Sequence, residues 1–364
     1  MDGWYQGLDE GDYDGAAKRF ERALELAQRH ADQSLEVRVL ANWAHVDSWH
    51  MRWQACLEHS LAAIDLARLV RDEDGELLGH LWAMRAFESL GELAEDRAHG
   101  AAAMALAERL RGSLGLQRAS AQYGNVFAIV GDWGSARALI GRCLAIDPYS
   151  GYADAGVSVE YQTGNFEAGA RHLEELEEGG RLAPNSRQNF AAFSWSGAFA
   201  DYCMDAEGHL DLVMERASAL LGGSEPIPLI ELPVYAGLAL AAVKRRDLPT
   251  AARAYEALTP EAGRMIFGNP LATDHLLGLL AQTLGRDRDA IGHESALAFC
   301  ARAGYRPMYA WAAADYSAFL LGRAGEDDHA RGVALANEAL AIGQELGMRP
   351  LMERVLARRE FLKA

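Results

Sequence analysis

Large apolar or aromatic residues recur at a fixed interval in the first part of the chain. An interval of 40 residues separates Tyr13, Trp53, Leu93 and Trp133, and similar patterns of small and apolar residues follow these positions. A period of this length is typical of repeat proteins, in which each unit packs mainly against its neighbours. The interval therefore predicts a repeat array rather than a single globular core, and it disfavours most enzyme folds.

The spacing within a unit indicates helices. In the first unit a set of apolar residues follows a 3.6-residue period, namely Ala16, Phe20, Ala23, Leu24 and Ala27. This pattern is typical of an amphipathic α-helix that buries one face. Glycine marks the expected turns, at Gly11, Gly91, Gly131, Gly164 and Gly285. Each unit therefore predicts two helices of about 14 to 18 residues joined by a tight turn.

After Trp133 the repeat continues with uneven steps. The landmark position recurs at Phe166, Ala206, Leu248, Asp287 and His329. We expect one all-α array over residues 1–364, divided into regular repeats (1–148), shortened or irregular repeats (149–222), further repeats (223–349) and a capping helix (350–364). If the array carries a specific site, we expect it where the rhythm breaks, between the fourth and sixth units.

The fourth unit resembles a tetratricopeptide (TPR) repeat. Its matching residues are Tyr123-Gly124, Phe127, Gly131-Asp132-Trp133, Ala136, Ile140, Cys143 and Pro148. The same turn signature recurs at Gly11-Asp12-Tyr13 and Gly164-Asn165-Phe166. Ser120 replaces the consensus tryptophan, and the longer period is shared with HEAT-type repeats, which remain the alternative. The resemblance implies an all-α, TPR-like superhelical solenoid of about nine helical hairpins with a C-terminal capping helix.

The last part of the chain is similar to the C-terminal arm of bacterial signalling proteins. The matching segments are Leu284-Gly285-Arg286, Ala296-Leu297-Ala298-Phe299-Cys300, Ala303-Gly304-Tyr305-Arg306-Pro307 and Glu345-Leu346-Gly347-Met348-Arg349-Pro350-Leu351. In those proteins a TPR-like array follows an adenylate/guanylate cyclase or other effector domain and an AAA or STAND-type ATP-binding switch domain. The resemblance implies a sensory or regulatory arm without catalysis of its own. Residues 4–10 supply only the tail of a first helix, so we expect a piece of a longer protein.

The charge balance disfavours nucleic acid as a partner. The chain carries 35 basic and 52 acidic residues, a formal net charge of -17, whereas nucleic-acid-binding proteins present a basic face. No apolar run approaches the length of a membrane span, and the N-terminus lacks the apolar core of a signal peptide. We therefore expect a soluble, cytoplasmic protein without a membrane partner.

The sequence lacks the common catalytic and metal-binding motifs. Its four cysteines, Cys56, Cys143, Cys203 and Cys300, are far apart and form no C-x-x-C pair, so buried thiols are favoured over metal or redox sites. It contains no P-loop, no G-x-G-x-x-G and no G-x-S-x-G motif. We expect no cofactor, no metal and no enzymatic activity.

Histidine and tryptophan are concentrated in one short region. His45, His50 and His59 lie beside Trp43, Trp49 and Trp53. Because His45 and Trp49 are four residues apart, they share a helix face and could form a stacking pocket for a ring-bearing or cationic ligand. The alternative is packing between repeats, with the histidines exposed to water.

A second candidate is a polar groove. TPR-like arrays present the first helix of each unit inward, which places several polar residues of the fourth to sixth units on that surface. They are Arg118, Gln122, Asn125, Asp154, Ser158, Tyr161, Asn189, Ser194 and Asp201. The alternative is an ordinary solvated helix face.

The function that these observations favour is non-catalytic. We expect a protein–protein interaction or regulatory module that holds a peptide, or a segment of its own parent protein, on its concave face. The alternative is a sensor that binds a metabolite inside the superhelix. A deep pocket walled by several inner helices would favour the sensor, whereas an open groove would count against it.

Overall fold

A computed structural model of the protein describes residues 11–184, 186–221, 226–268, 270–286, 291–323 and 325–361. Within these residues the fold is all-α, and the only β-type pairing is an isolated antiparallel bridge between Met265 and Ala272. The helices, in chain order, are α1 (Tyr13–Arg29), α2 (Gln33–Trp49), α3 (Trp53–Val70), α4 (Glu73–Leu90), α5 (Leu93–Leu110), α6 (Ser113–Ala128), α7 (Trp133–Leu144), α8 (Ala153–Thr163), α9 (Phe166–Leu182), α10 (Arg187–Met204), α11 (Leu210–Leu221), α12 (Pro228–Arg245), α13 (Leu248–Leu258), a 3₁₀ turn (Thr259–Glu261), α14 (Thr273–Thr283), α15 (Ile291–Ala303), α16 (Arg306–Leu321), α17 (Glu326–Leu346) and α18 (Arg349–Phe361).

The repeat landmarks are helix starts. Six of them are the first residues of α1, α3, α5, α7, α9 and α13, namely Tyr13, Trp53, Leu93, Trp133, Phe166 and Leu248. The prediction that the interval marks helical units is confirmed at these positions. Ala206 lies in the turn before α11, His329 lies inside α17, and Asp287 lies outside the described residues.

The turn signature has a direct physical explanation. The glycines of the predicted turns, Gly11, Gly91, Gly131, Gly164 and Gly285, have φ angles of 72°, 81°, 88°, 79° and 69°. Glycine adopts this left-handed conformation at low cost and can therefore end a helix. In four of these turns a helix begins two residues after the glycine, and in two of the four the intervening aspartate caps that helix: Asp12 accepts from Gly15 N and Asp132 from Ser135 N, at 2.9 and 3.1 Å.

The helices form an inner and an outer layer. From α2 to α14, each even-numbered helix packs on the next even-numbered helix as well as on its neighbours in the chain. These inner helices are buried on most sides; α4 has 13 buried residues of 18, whereas the outer helix α1 buries only Ala16, Phe20 and Ala27. The four cysteines are buried and unpaired, as predicted.

The C-terminal helices fold back onto the first half of the chain. The Tyr305 hydroxyl donates to Glu88 O at 2.8 Å, and Trp133 Nε1 donates to Leu346 O at 2.7 Å. The Arg349 guanidinium donates to Gly164 O. The C-terminal helix predicted over residues 350–364 is present as α18, but it packs against α8 and α10 as well as α16 and α17. This helix therefore contacts the middle of the array as well as the last repeat, whereas a capping helix would contact the last repeat alone.

A non-helical segment between α13 and α14 enters the interior. We call residues 262–268 the inner loop. Met265 N donates to Ser89 O at 3.1 Å, and Gly268 N donates to Glu88 Oε1 at 2.9 Å. Met265 and Ile266 are fully buried. The inner loop thus covers the inner side of α4 near the C-terminal end of that helix.

Candidate functional site

The inner helices and the inner loop line a partly open cavity of about 80 Å³, which we call the central cavity. Its walls come from α2, α4, α6, α8, α10 and α12. Its aromatic lining consists of Trp49, Tyr152, Trp195 and Phe267, and its polar lining includes Arg85, Asn125, Asp154 and Gln188. A cavity of this size holds roughly five to eight water molecules or a small ligand.

A narrower pocket of about 20 Å³ adjoins the central cavity. The two share Asn125 and Gly268 as lining residues, and Glu88, Ser158 and Gln162 line the narrow pocket alone. The Ser158 hydroxyl and the Gln162 side-chain oxygen are buried without a protein hydrogen-bond partner. Buried polar atoms normally have a partner, so these atoms are available to a ligand or to water.

Arg85 is the charged group that defines the central cavity. It interrupts the apolar face of α4, and only 5% of its surface is exposed. Its guanidinium donates to Ser48 Oγ at 3.3 Å and lies 4.8 Å from the Trp82 ring and 5.2 Å from the Phe267 ring. Its Nε has no protein partner, and no carboxylate of the described residues lies within 4.0 Å. Burial and the charge of Arg118 lower the pKa of this arginine, although a hydrogen bond with the Tyr152 side chain favours the charged form.

The side chains of His45 and Arg118 pack against the Trp82 ring, next to Arg85. His45 stacks on it with ring centres 3.9 Å apart, and the Arg118 guanidinium lies 5.6 Å from its centre. Trp49 Nε1 donates to His45 Nε2 at 2.8 Å, so this nitrogen of His45 is an acceptor. Burial, together with the charges of Arg85 and Arg118, holds the pKa of His45 well below its ordinary value. His45 is therefore neutral.

Two carboxyl groups, one in each pocket, have pKa values above the ordinary range. Asp154 Oδ1 accepts from Ala155 N at 2.6 Å, and no cation of the described residues forms an ion pair with it. Burial raises the pKa of Asp154 to about 7. Burial also raises the pKa of Glu88 to about 7, although Gly268 N–H and Arg85 favour its charged form. Both acids therefore titrate near neutral pH.

Several of the predicted site residues are brought together. Trp49, Asn125 and Asp154 line the central cavity, and Ser158 lines the narrow pocket with Asn125. His45 and Arg118 lie behind this surface against Trp82. Gln122 is buried one turn before Asn125, and neither its amide nitrogen nor its amide oxygen has a protein partner.

Of the remaining predicted residues, Tyr161, Ser194 and Asn189 serve local structure, and Asp201 lines a separate cavity of about 480 Å³. Tyr161 is buried against Phe166, with ring centres 5.6 Å apart. The Ser194 hydroxyl donates to Phe190 O at 2.8 Å within α10. Asn189 Nδ2 donates to Tyr149 O, and Asp201 accepts from the amide and the ring of His209. The single polar groove expected from sequence is thus divided, because both faces of the inner helices are buried.

The histidine and tryptophan cluster packs between repeats. His59 stacks on Trp43 with ring centres 4.1 Å apart and contacts Asp47 Oδ2 at 2.6 Å. His45 is only 6% exposed, so the expectation of a water-exposed histidine is wrong at this position. Trp49 remains part of the cavity wall.

Sequence reasoning missed Arg85, Glu88, Tyr152 and the inner loop. A signal for the first two was present, because they interrupt the otherwise apolar run from Leu81 to Phe87 and its continuation. A charge inside such a run requires a specific environment. The inner loop carries no motif, and its position depends on contacts with residues about 180 positions away.

A second cavity, of about 480 Å³, lies beside Asp315. Asp315 accepts from the Tyr202 hydroxyl at 2.6 Å, contacts His275 Nε2 at 3.1 Å and pairs with Arg358 at 3.2 Å. Lys244 pairs with Asp205 at 2.6 Å in the same cavity. Most charged groups here compensate each other, in contrast to those of the central cavity.

No protein-family model matches the sequence, and a comparison with curated proteins also finds no match. In the described part of the chain, no three His, Cys, Asp or Glu side chains are grouped as metal ligands would be, and no helix is long and apolar enough to cross a membrane.

Proposed function

We propose that the protein is a TPR-like α-solenoid of about nine hairpins that binds a small molecule within the ring of its inner helices, as a regulatory module. The observation that carries the proposal is the central cavity, walled by six inner helices and the inner loop, with an arginine that has no carboxylate partner among the described residues. A concave pocket lined by apolar side chains and a few convergent polar groups is the usual form of a ligand site.

The geometry favours a small molecule over a peptide. Peptide-binding solenoids need an open groove, whereas the inner loop and the C-terminal helices cover the inner side of α4. A cavity of about 80 Å³ is far smaller than a peptide segment of several residues. A peptide or partner segment would first have to displace the inner loop.

Ligand binding in this cavity would couple distant parts of the chain. Its lining joins Arg85 of α4, Asp154 of α8, Trp195 of α10 and Phe267 of the inner loop. A ligand that contacts all four elements favours the arrangement in which they are close together. This coupling is what a sensory arm requires in order to pass a signal to another domain.

Thermal unfolding of the full chain against a panel of metabolites tests the proposal. We expect at least one compound to raise Tm in a concentration-dependent way, because a ligand that binds only the folded state stabilises it. Asn125→Leu, which places an apolar side chain at the junction of the two pockets, is expected to abolish the shift.

The matched control is Leu69→Ala, at a side chain that is 70% exposed and outside both pockets. We expect it to keep the ligand-induced shift unchanged. The proposal fails if no metabolite stabilises the protein, or if the stabilising compound acts equally on the Asn125→Leu variant.

A further inference from the structure

The central cavity contains a guanidinium group, on Arg85, and a carboxyl group, on Asp154, that do not pair with each other. The Arg85 guanidinium contacts Ser48, the Tyr152 side chain and two aromatic rings, and Asp154 accepts from the backbone of Ala155. Both side chains line the same cavity, and no ion pair joins them. Arg85 is buried and Asp154 is half-buried, and a charge withdrawn from water without an ionic partner is costly, so each group gains from a complementary charge.

Glu88 does not supply the negative charge that would complement Arg85 in the central cavity. Its carboxylate accepts from Gly268 N at 2.9 Å and lines the narrow pocket rather than the central cavity. Arg118 lies against Trp82 and does not line the cavity either. The central cavity therefore offers a ligand one cationic donor and one acid, with the unpartnered Trp195 Nε1 as a further donor.

The size of the cavity narrows the ligand class. Space for roughly five to eight water molecules matches a compound with a similar number of non-hydrogen atoms. Glycine, alanine, serine and valine fall in this range. Apolar surface from Trp195, Phe267 and Ile230 is available to a small side chain.

We propose that the central cavity binds a small free α-amino acid as its zwitterion, with the ligand carboxylate on the Arg85 guanidinium and the ligand ammonium on the Asp154 carboxylate. The inference rests on the proposed function, since it names the ligand class of the same cavity. Arginine presents several donors in one plane and therefore suits a carboxylate. An ammonium group supplies the positive charge that Asp154 lacks.

Isothermal titration of the full chain with glycine, alanine, serine and valine tests the inference. Each amino acid is compared with analogues that lack one charge: N-acetylalanine and propionate lack the ammonium, and alaninamide lacks the carboxylate. We expect binding of at least one free amino acid and a loss of about 10- to 100-fold for each missing charge, because charge-assisted hydrogen bonds have this strength.

Two conservative variants assign the groups. Asp154→Asn keeps an oxygen acceptor for Ala155 N and is expected to weaken amino-acid binding about 10- to 100-fold, with little effect on propionate. Arg85→Lys keeps the charge but removes the planar donor set, and we expect it to weaken both amino acids and propionate. Asp65→Asn, at an exposed acid, is the control that keeps wild-type affinity.

The outcomes separate the two proposals. If propionate or alaninamide binds as tightly as alanine, or if Asp154→Asn and Arg85→Lys bind amino acids like the wild type, the amino-acid inference is overturned. A different compound that binds at Asn125 overturns it as well and leaves the proposed function standing. If neither the amino acids nor the wider metabolite panel binds, both proposals fail.

Discussion

Two buried carboxyl groups, Glu88 in α4 and Asp315 in α16, have pKa values that are set by their surroundings. Glu88 is 1% exposed and has a single backbone donor, whereas Asp315 has several donors and two arginines. Removing a carboxylate from water raises its pKa at both positions, but the two side chains differ in how many partners oppose this effect. It raises the pKa of Glu88, whereas at Asp315 it is outweighed by the partners.

Glu88 is expected to make stability depend on pH. Its pKa is raised from 4.5 to about 7, so the stability it contributes is present below pH 4.5 and is lost as the pH rises through 7. Glu88→Gln cannot ionise and keeps an acceptor for Gly268 N. We expect its stability relative to the wild type to increase by on the order of 2 kcal/mol between pH 5 and pH 8, measured by chemical denaturation.

The control for this measurement is Glu58→Gln, at an exposed acid on α3. Its stability relative to the wild type is expected to stay constant over the same pH range. A constant difference for Glu88→Gln as well would contradict the raised pKa.

Substitution of Asp315 is expected to lower the stability of the protein more than substitution of most other acids in the chain. Burial alone would raise its pKa, but the hydrogen bond with His275 and the charges of Arg354 and Arg358 hold the pKa well below the ordinary value. The stability it contributes is therefore present at neutral pH and is lost as the pH falls below about 3.8. Asp315→Asn leaves the arginine charges uncompensated and is expected to cost about 3 to 5 kcal/mol at pH 7.

Urea denaturation at pH 7 measures this loss. Asp65→Asn is the matched exposed variant, with an expected change within about 0.5 kcal/mol. A loss below about 1 kcal/mol for Asp315→Asn would show that the network contributes little to stability.

At the scale of the helices, the turns carry most of the information that is visible in the sequence. A glycine with positive φ ends one helix, an aspartate or asparagine follows, and an aromatic residue begins the next helix. Each of these choices has a local physical cause, so the starts of α1, α7 and α9 could be predicted without knowledge of the rest of the fold. The division into inner and outer helices was expected from the TPR resemblance and not from this local pattern.

Asp32 provides a test of this local logic. It is exposed, and its side chain accepts from Leu35 N at 2.9 Å at the start of α2. Asp32→Ala is expected to lower the free energy of unfolding by about 1 kcal/mol. Glu92 occupies the equivalent position before α5 without a side-chain cap, so Glu92→Ala is expected to be nearly neutral. Equal losses for the two variants in urea denaturation would argue against a capping role for Asp32.

The candidate site could be predicted only in part, because the inner helices are buried on more than one side. Spacing places Asn125, Asp154 and Ser158 on inner helices, and they do reach the cavities. The same spacing also selects Ser194, because both sides of α10 are buried and periodicity does not distinguish the cavity side from the packing side. Ser194 therefore serves its own helix.

At the scale of the whole molecule, the contacts between the two halves of the chain set this array apart from an open solenoid. In an open solenoid each repeat contacts only its neighbours, and stability is a sum of local terms. Here Tyr305 bonds to Glu88 and Trp133 to Leu346. A repeat period specifies nearest-neighbour packing, so it contains no information about these contacts, and the fold-back could not be predicted.

Gly91 lies at the junction between the two halves. Its φ is 81°, and a Cβ atom there would lie 2.9 Å from the Cβ of Ala303. Gly285 has a φ of 69° and no neighbour of the described residues within 4 Å of such an atom. Both alanine substitutions incur the left-handed backbone cost, but Gly91→Ala adds an overlap and is expected to lose about 1 to 3 kcal/mol more than Gly285→Ala.

Thermal or urea unfolding of the two variants measures the difference. If Gly91→Ala and Gly285→Ala lose the same stability, the contact between the α4–α5 turn and α15 does not contribute to the fold. Arg253→Ala, at an exposed position of α13 distant in sequence from this junction, serves as a reference for an ordinary helical substitution.

The hydrogen bond from Gly268 to Glu88 spans 180 residues, and this separation has a consequence for biosynthesis. At ribosomal rates of about 5 to 20 residues per second, the inner side of α4 emerges roughly 10 to 40 seconds before the segment that covers it. During that interval Leu81, Trp82 and Met84 belong to a nascent chain that lacks its inner loop. The newly made first half is therefore a natural client for chaperones that bind apolar surfaces on the ribosome.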